Sequence, residues 1–379
     1  MRAMLAGLLR ELRYLLKHKW DLCLVTLAPL FVIVMFSSMF AQGKPEHLPV
    51  AVIDQDQSGL SRNIARYLSL NHTLQIAEIT DNQADAEYLL NQNKIWGYVH
   101  IPAGAEQRLV QAKDAQISIA FNQSYFSVGN TVSSAMLLST VQAAADFGGR
   151  DYLENKIPYL DAPAPNVKIS PLYNPGLNYE FYLEPYMIPA ILHLLLCCCV
   201  AFSVGQELKF QTADQWLNQH SLLSALLSKN LAYILIFSAW TWLWMVWLIG
   251  IRGWFVSGHL WLILAAQILL YSAYAFISSA IVLATKNLSK TFGVIAVYGG
   301  SSLSFAGVTL PLNNAPMFTQ FWAHIIPYTP YAKLQTEQWV IGSPLSSSLQ
   351  PFALLVVYSV LYYALAYVFL KKCAKEIQS

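Results

Sequence analysis

The chain has 379 residues, of which 56% are hydrophobic and only 12% charged, and its mean hydropathy is +0.42. Soluble globular chains carry about a quarter charged residues, so this balance excludes an ordinary soluble enzyme, a disordered chain and a disulfide scaffold. A net charge of +2 argues against a nucleic-acid partner, which needs a concentrated basic face. The chain reads as an integral membrane protein.

From the N-terminus, residues 1–21 place Leu5, Leu8, Leu9, Leu12, Leu15 and Leu16 at helical spacing opposite Arg2, Arg10, Arg13 and Lys17. That pattern predicts an amphipathic helix, either lying along the cytoplasmic membrane surface or simply extending the first span. Residues 22–41 form the first of six windows of membrane length without Asp, Glu, Lys or Arg; the others are 185–205, 231–251, 260–284, 291–310 and 351–370. Met39 occupies the minus-three place of the only Ala-ending cleavage site near the first window, which therefore reads as a retained anchor. Six spans put both termini on one side. Twelve Lys and Arg fall in residues 1–21, the loops 206–230 and 285–290 and the tail 371–379, against only Arg252 and Lys333 in the short opposite loops, so both termini are expected in the cytoplasm.

The segment 42–179 differs in kind, with nine Lys and Arg against thirteen Asp and Glu. Strand-like runs at 49–53, 74–79, 95–101 and 117–121 alternate with helical stretches at 59–70, 82–92 and 104–112. A longer helical stretch over 126–156 leads into Pro158, Pro163, Pro165, Pro171 and Pro175, a stiff connector. The expected fold is thus an α-helical membrane protein of six transmembrane helices, with a small α/β extracytoplasmic domain inserted between helices 1 and 2. None of the five cysteines falls in 42–179; Cys23, Cys197, Cys198, Cys199 and Cys373 lie in or beside apolar runs, without the spacing of a zinc site. Asp54, Asp56, Ser58 and Gly59 resemble the opening of a calcium loop, but Ala65 stands where its bidentate Glu belongs. A turn and helix cap is the favoured reading over a metal site, and no metal is assigned to the chain.

No phosphate-cradling G-x-x-x-x-G-K-[ST], no G-x-S-x-G and no H-E-x-x-H occurs, so nothing supports an enzyme or an ATPase in this chain, and no catalytic residue is assigned. His193 lies at mid-depth of the second span, where an ionisable group is either a functional site or a neutral interhelical bond. Glu180 and Glu184 lie one turn apart at its outer mouth and read as a solvated helix start or a functional pair. Gly293, Gly300 and Gly307, with Ser304, make a bulk-free seam on the fifth span, suited to helix packing or to a subunit interface and substrate path. The inner loop 206–230 holds a short amphipathic helix in which Thr212 and Gln215 have capping-box spacing. An orientation exposing Trp216 and Leu217 to the cytosol makes it an anchor for a soluble partner.

Three stretches carry a family resemblance. "GQELKFQTADQWLNQHSLLSALLSKN" is similar to the coupling loop of type 2 ABC exporter permeases, with Gln206, Gln211 and Ser228 standing where that loop has Arg, Gly and Gly. "LPVAVIDQDQSGLSRNIARYL" resembles the strand, Asp-x-Asp turn and helix of the branch with a large external domain between the first two spans. "LPLNNAPMFTQFWAHIIPYTPYAKLQTEQWV" resembles the outer re-entrant segment, here 311–350. The resemblance implies a permease subunit moving a hydrophobic or amphipathic, drug-like or lipid-like substrate outward across a bacterial inner membrane. It implies a second copy or paralogue as dimer partner, cytoplasmic ATPase subunits holding ATP and Mg, and a periplasmic adaptor against the external domain. Glu207, Thr212, Asp214, Gln215, Trp216 and Leu217 would couple to the ATPase, and the glycine seam with His193 would line the substrate path. A non-transporting membrane scaffold with the same external domain is the alternative.

Overall fold

The computed structural model describes residues 2–41, 43, 45–111, 113–122, 124, 126–149, 178–217, 221–309 and 312–378. The chain divides into two units, one of Met1–Ala41 with Asn178–Ser379 and one of Gln42–Leu177. The first begins with α1 (Arg2–Lys17) and α2 (Lys19–Phe40), separated by His18 in extended conformation. The leucines of α1 divide between two faces. Leu8, Leu12 and Leu15 pack into the helical core, whereas Leu5 and Leu16 are 55% and 70% exposed.

The second unit follows the alternation of the sequence: β1 (Leu48–Asp54), α3 (Gly59–Leu70), β2 (Leu74–Thr80), α4 (Gln83–Asn91), β3 (Gly97–Ile101), α5 (Ala105–Val110), β4 (Ser118–Phe121) and α6 (Phe126–Asp146). The sheet order is β2-β1-β3-β4, with β1 parallel to both its neighbours and β4 antiparallel to β3. Because side chains alternate across a strand, Val50, Val52, Val99 and Ile101 meet Leu60, Ile64 and Met136 from α3 and α6 on one face, while Ala51, Ile53 and Tyr98 meet Ala86 of α4 on the other. Gly97 is required where β3 meets β4, since a Cβ there would lie 2.6 Å from the Ala120 carbonyl oxygen. The proline connector expected near 158–175 lies outside the described residues.

The Asp-x-Asp turn is a paired cap. Asp54 Oδ1 accepts from the amides of Asp56 and Gln57, and Asp56 accepts from Gly104, Ala105 and Glu106 at the start of α5. Glu106 in turn accepts from the Leu60 amide of α3, and Ser58 and Ser61 form a capping box. Both aspartates thus hold backbone amides, the turn-and-cap arrangement. Desolvation works to raise the Asp56 carboxyl, but the Ser58 bond and the α5 amides outweigh it and hold it below its usual 3.8.

The first unit resumes with α7 (Tyr179–Tyr182), α8 (Glu184–Lys209), α9 (Ala213–Leu217), α10 (Leu222–Gly250), α11 (Leu260–Thr285), α12 (Leu288–Gly300), α13 (Ser302–Phe305), α14 (Met317–Ile325), α15 (Tyr328–Gln335), a π-helical turn (Thr336–Ile341) and α16 (Leu345–Gln378). Among the described residues five helices, α2, α8, α10, α11 and α16, are long and apolar enough to cross a membrane. The fifth expected span, 291–310, is divided. α12 has 13 residues, about 20 Å at 1.5 Å per residue, and stops at Gly299–Gly300–Ser301, the small-residue sequence at which helices bend. The chain then makes the short α13 and turns at Gly307 with φ +79°.

α11 is the central staff, burying Ile263, Ala266, Leu270, Tyr271, Tyr274 and Leu283. Apolar surroundings leave helix contacts to small residues and hydrogen bonds. Ser278 donates to the Cys197 carbonyl at 2.7 Å, Ser279 to Asn230 Oδ1 at 2.8 Å, and Thr241 and Tyr271 share a bond of 2.5 Å. α2 and α16 turn Phe31, Val34, Val357 and Val360 outward, the apolar belt that a bilayer solvates. The stretch expected as an outer re-entrant segment forms α14, α15, the π-helical turn and the start of α16; Tyr298 and Tyr362 both donate to the Ile325 carbonyl at 3.0 Å where α14 ends.

Candidate functional site

Among the described residues the buried Glu and Lys side chains of this apolar unit gather at opposite ends of α8 and α10. Glu184 and Glu207 of α8 are 23 residues apart, about 35 Å along the helix.

At the Glu207 end, Lys229 of α10 reaches two carboxylates, Glu11 Oε2 of α1 at 2.9 Å and Glu207 Oε1 at 3.1 Å. The other oxygen of Glu11 accepts from Ser203 at 2.6 Å and from Tyr233 at 2.9 Å. Arg10 adds a bond to Glu207 at 3.2 Å, and Tyr14 bonds Gln206. Glu11 is 4% exposed and Lys229 5%, so these charges persist in a low dielectric only because each has a partner. Burial pushes the Glu11 carboxyl up, but the adjacent Lys229 ammonium and the bonds from Ser203, Lys229 and Tyr233 bring it below its ordinary 4.5.

The short helix α9, in the loop between α8 and α10, is tied to this cluster. Thr212 donates to Glu207 Oε2 at 2.5 Å, and the Trp216 indole N–H donates to the Ala225 carbonyl at 3.2 Å. The Lys229 ammonium lies 5.4 Å from the centre of the Trp216 ring, within cation–π range. The expectation that Trp216 faces the cytosol is therefore corrected. It is 4% exposed, and its ring covers the buried Lys229 ammonium. Leu217 is half-buried, and among the described residues of the loop Lys209, Phe210, Gln211, Asp214, Ser221 and Leu223 are exposed. The side chain of Gln215 lies outside the described residues, and with it the expected capping-box partner of Thr212.

At the other end, Glu180 of α7 accepts from Arg252 at 2.6 and 3.0 Å and from the Trp254 indole N–H at 2.8 Å. Glu184 Oε1 accepts from Ser37 of α2 at 2.5 Å and from Trp244 of α10 at 2.8 Å. Glu180 is 1% exposed and Glu184 0%, which corrects the solvated helix start. One helical turn does bring them together, but aromatic side chains from α10 and the loop after it close over both.

His193 is also fully buried. Its Nδ1 faces the Pro189 carbonyl at 3.1 Å, its Nε2 faces the Gly299 carbonyl of α12 at 3.3 Å, and its ring lies against that of Tyr274, tilted by 34° with centroids 4.0 Å apart. The glycine seam is not continuous. Gly293 and Gly300 open one face of α12, with nothing within 4 Å of a Cβ placed there, and the flanking Val294 and Val297 are exposed. Ser304 is exposed on α13, and Gly307 lies in the turn beyond it. The glycine that packs closely is Gly299, whose Cβ would meet Leu194 at 3.0 Å. Among the described residues no three His, Cys, Asp or Glu side chains are grouped to hold a metal ion.

Residues 19–368 match the family model described as an ABC-2 family transporter protein. The chain belongs to the ABC-2 transporter family. A search of curated proteins returns no match. The chain is thus a membrane component of an ABC-2 transporter, and its family implies cooperation with an ABC ATPase. In this ABC-2 permease the loop between α8 and α10 hangs on Glu207 and Lys229, while Glu11 joins both to α1. Glu11 was missed in the sequence; its signal was that it is the sole acid among the first 20 residues, placed between Arg10 and Arg13.

Proposed function

We propose that this chain is the permease subunit of an ATP-driven exporter, working as a dimer with a second copy or a close paralogue, with ATP and Mg held by separate cytoplasmic ATPase subunits. The observation that carries the reading is the buried Glu11–Lys229–Glu207 joint, which makes α1, α8, α10 and the loop helix α9 one mechanical body. A push on α9 reaches two membrane-crossing helices through charge-assisted bonds, which are stiffer and more directional than apolar contacts.

In this reading the exposed Phe210, Gln211 and Asp214 meet the ATPase, while Glu207, Thr212, Trp216 and Leu217 transmit from behind them. The open face of α12 at Gly293 and Gly300 meets the second permease, and the substrate, a hydrophobic or amphipathic molecule, leaves along that shared face. The bundle sits in a bacterial inner membrane with both termini cytoplasmic, and the α/β unit faces the periplasm, where an adaptor would dock.

The test is co-purification of the full chain with its ATPase, followed by transport in vesicles. Phe210→Ala with Asp214→Arg should lower recovery of the ATPase by at least about tenfold without moving the melting temperature, since both side chains are exposed. Undiminished recovery of the ATPase sinks the docking assignment. Accumulation of substrate in inside-out vesicles on adding ATP is the result expected for export, and ATP-driven depletion from them overturns it.

A further inference from the structure

At the end of the bundle that carries Glu207, a pocket of about 650 Å³ opens between three helices. Leu208 and Lys209 of α8 line one side, Lys286 and Leu288 at the junction of α11 and α12 a second, and Cys373 and Glu376 of α16 the third. α8 and α12 touch at Gly205, where a Cβ would lie 2.4 Å from Leu288 Cδ2. The lining sorts by depth. Its buried members, Gly205, Val282 and Cys373, carry no charge, whereas its exposed members are Lys209, Lys286, Asn287, Ser289 and Glu376. The pocket thus has an apolar floor and a polar rim.

The rim has an excess of positive charge. Glu376 is its one acid, and that carboxylate pairs with Lys286 and also feels Lys372, one turn earlier on α16. Lys209 is in no ion pair among the described residues; its ammonium lies 5.6 Å from the centre of the Phe210 ring. Lys290 is exposed in the first turn of α12. Four lysines on and beside the rim are therefore set against one carboxylate.

The depth of the pocket narrows the choice of ligand. α8, α11 and α16 are three of the helices long and apolar enough to cross a membrane, and Lys209, Lys286 and Lys372 stand just beyond their apolar runs. The rim consequently lies at the polar boundary of the bilayer, where a phospholipid presents its phosphate at the end of a hydrocarbon chain. A soluble phosphate would use the rim and leave the floor empty, whereas an anionic phospholipid uses both, and basic pockets between membrane helices take such headgroups.

We propose that this pocket holds one anionic phospholipid, with its phosphate at Lys209 and Lys286 and an acyl chain against Leu208, Val282 and Leu288. The bound lipid links the end of α8, beside Glu207, to the end of α16. Only the assignment of the site to the cytoplasmic leaflet rests on the topology proposed above; the site itself is formed within a single chain.

The test titrates the full chain, stripped of lipid in detergent, with phosphatidylglycerol and with phosphatidylcholine of the same chains, and follows binding by native mass spectrometry. The first phosphatidylglycerol should bind about tenfold tighter than the first phosphatidylcholine, the preference expected of two lysines beside one anionic headgroup. Phosphatidylglycerol carrying a diazirine in its acyl chain should crosslink to residues 205–209 and 282–289. Lys209→Gln with Lys286→Gln should cut the preference to about twofold or less without moving the melting temperature, since both side chains are exposed, and Lys209→Arg with Lys286→Arg should keep it. Lys17→Gln with Lys19→Gln, also exposed, should leave it unchanged. Ser289→Trp places an indole in the pocket from an exposed position and should remove the crosslinks. A preference that survives the Lys209 and Lys286 glutamine pair, one lost equally in the Lys17 and Lys19 pair, or crosslinks confined to other helices would overturn the proposal. Displacement of the lipid by glycerol 3-phosphate alone marks a soluble-phosphate site and overturns it too, as does a glutamine pair that binds phosphatidylglycerol like the native chain but no longer retains the ATPase, the sign of a protein contact. The binding and crosslinking readouts need neither ATP nor an ATPase, so the transport reading and the lipid site can each fail while the other stands.

Discussion

Replacing Lys229 by Met removes the one cation shared by Glu11 and Glu207 while keeping a side chain of similar length. At an effective dielectric of 20, each contact near 3 Å corresponds to a gross attraction of about 5 kcal/mol, most of it cancelled by the desolvation of three buried groups. The intact cluster therefore stabilises the fold only modestly. Its disruption is a different quantity, because Lys229→Met strands a carboxylate that is 4% exposed, and breaking a buried pair costs about 3–5 kcal/mol. At about 2–4 °C per kcal/mol for a unit of this size, the melting temperature should fall by about 6–20 °C. Tryptophan fluorescence during heating of the detergent-solubilised protein reads this directly, since Trp216 lies against Lys229. The double variant Glu11→Gln with Lys229→Met restores neutrality, with Arg10 left for Glu207, and should recover most of the loss. The single variant should also gain stability as pH falls, because Glu11 without its ammonium takes up a proton more readily than in the native chain. The reasoning is refuted if Lys229→Met melts within 1–2 °C of the native protein, or if the double variant is no better than the single one.

Three further outcomes follow from the geometry. Asp56→Asn should weaken the α/β unit by about 1–2 kcal/mol through lost charge-assisted caps, seen as faster amide exchange at Gly104, Ala105 and Glu106. Because the folded carboxyl is held below 3.8, this contribution is present above that pH and disappears as pH falls through the lower folded value; protection of these amides in the native chain that is already lost above pH 3.8 would contradict it. Arg252→Gln leaves Glu180 buried with the Trp254 N–H as its remaining donor and should cost about 1–3 kcal/mol, discounted because Arg252 is one-third exposed; an unshifted melting temperature counts against the pairing. Gly293→Leu with Gly300→Leu enters open space in the single chain and should leave its melting temperature within about 3 °C while lowering the dimer fraction in native mass spectrometry; an undiminished dimer would move the interface elsewhere.

Composition and periodicity identify the class of the protein because they are local properties. A helix in lipid must be apolar along about 30 Å, and a strand with two covered faces must be short and apolar between turn residues, so α2, α8, α10, α11, α16 and the alternation of β1 to β4 are all visible in windows of a few residues to about twenty. The interruption at Gly299–Gly300 was hidden because hydropathy averages over the bend; a run can be apolar for 20 residues and still not be one helix. The amphipathic α1 was legible as a helix, but not the fact that Glu11 on its buried face is the partner of Lys229.

What only the tertiary structure decided is where charge is hidden. Glu11 and Lys229 are 218 residues apart, and Ser37 and Glu184 are 147 apart, so no spacing rule connects them. Taken singly, Glu180, Glu184 and Trp216 look like the exposed residues of helix ends and loops, since a charge or an indole is soluble there without any partner. Folding brings each a partner from outside its own helix, Arg252 and Trp254 to Glu180, Ser37 and Trp244 to Glu184, Ala225 and Lys229 to Trp216, and inside an apolar bundle that partner determines whether the residue faces water or the core.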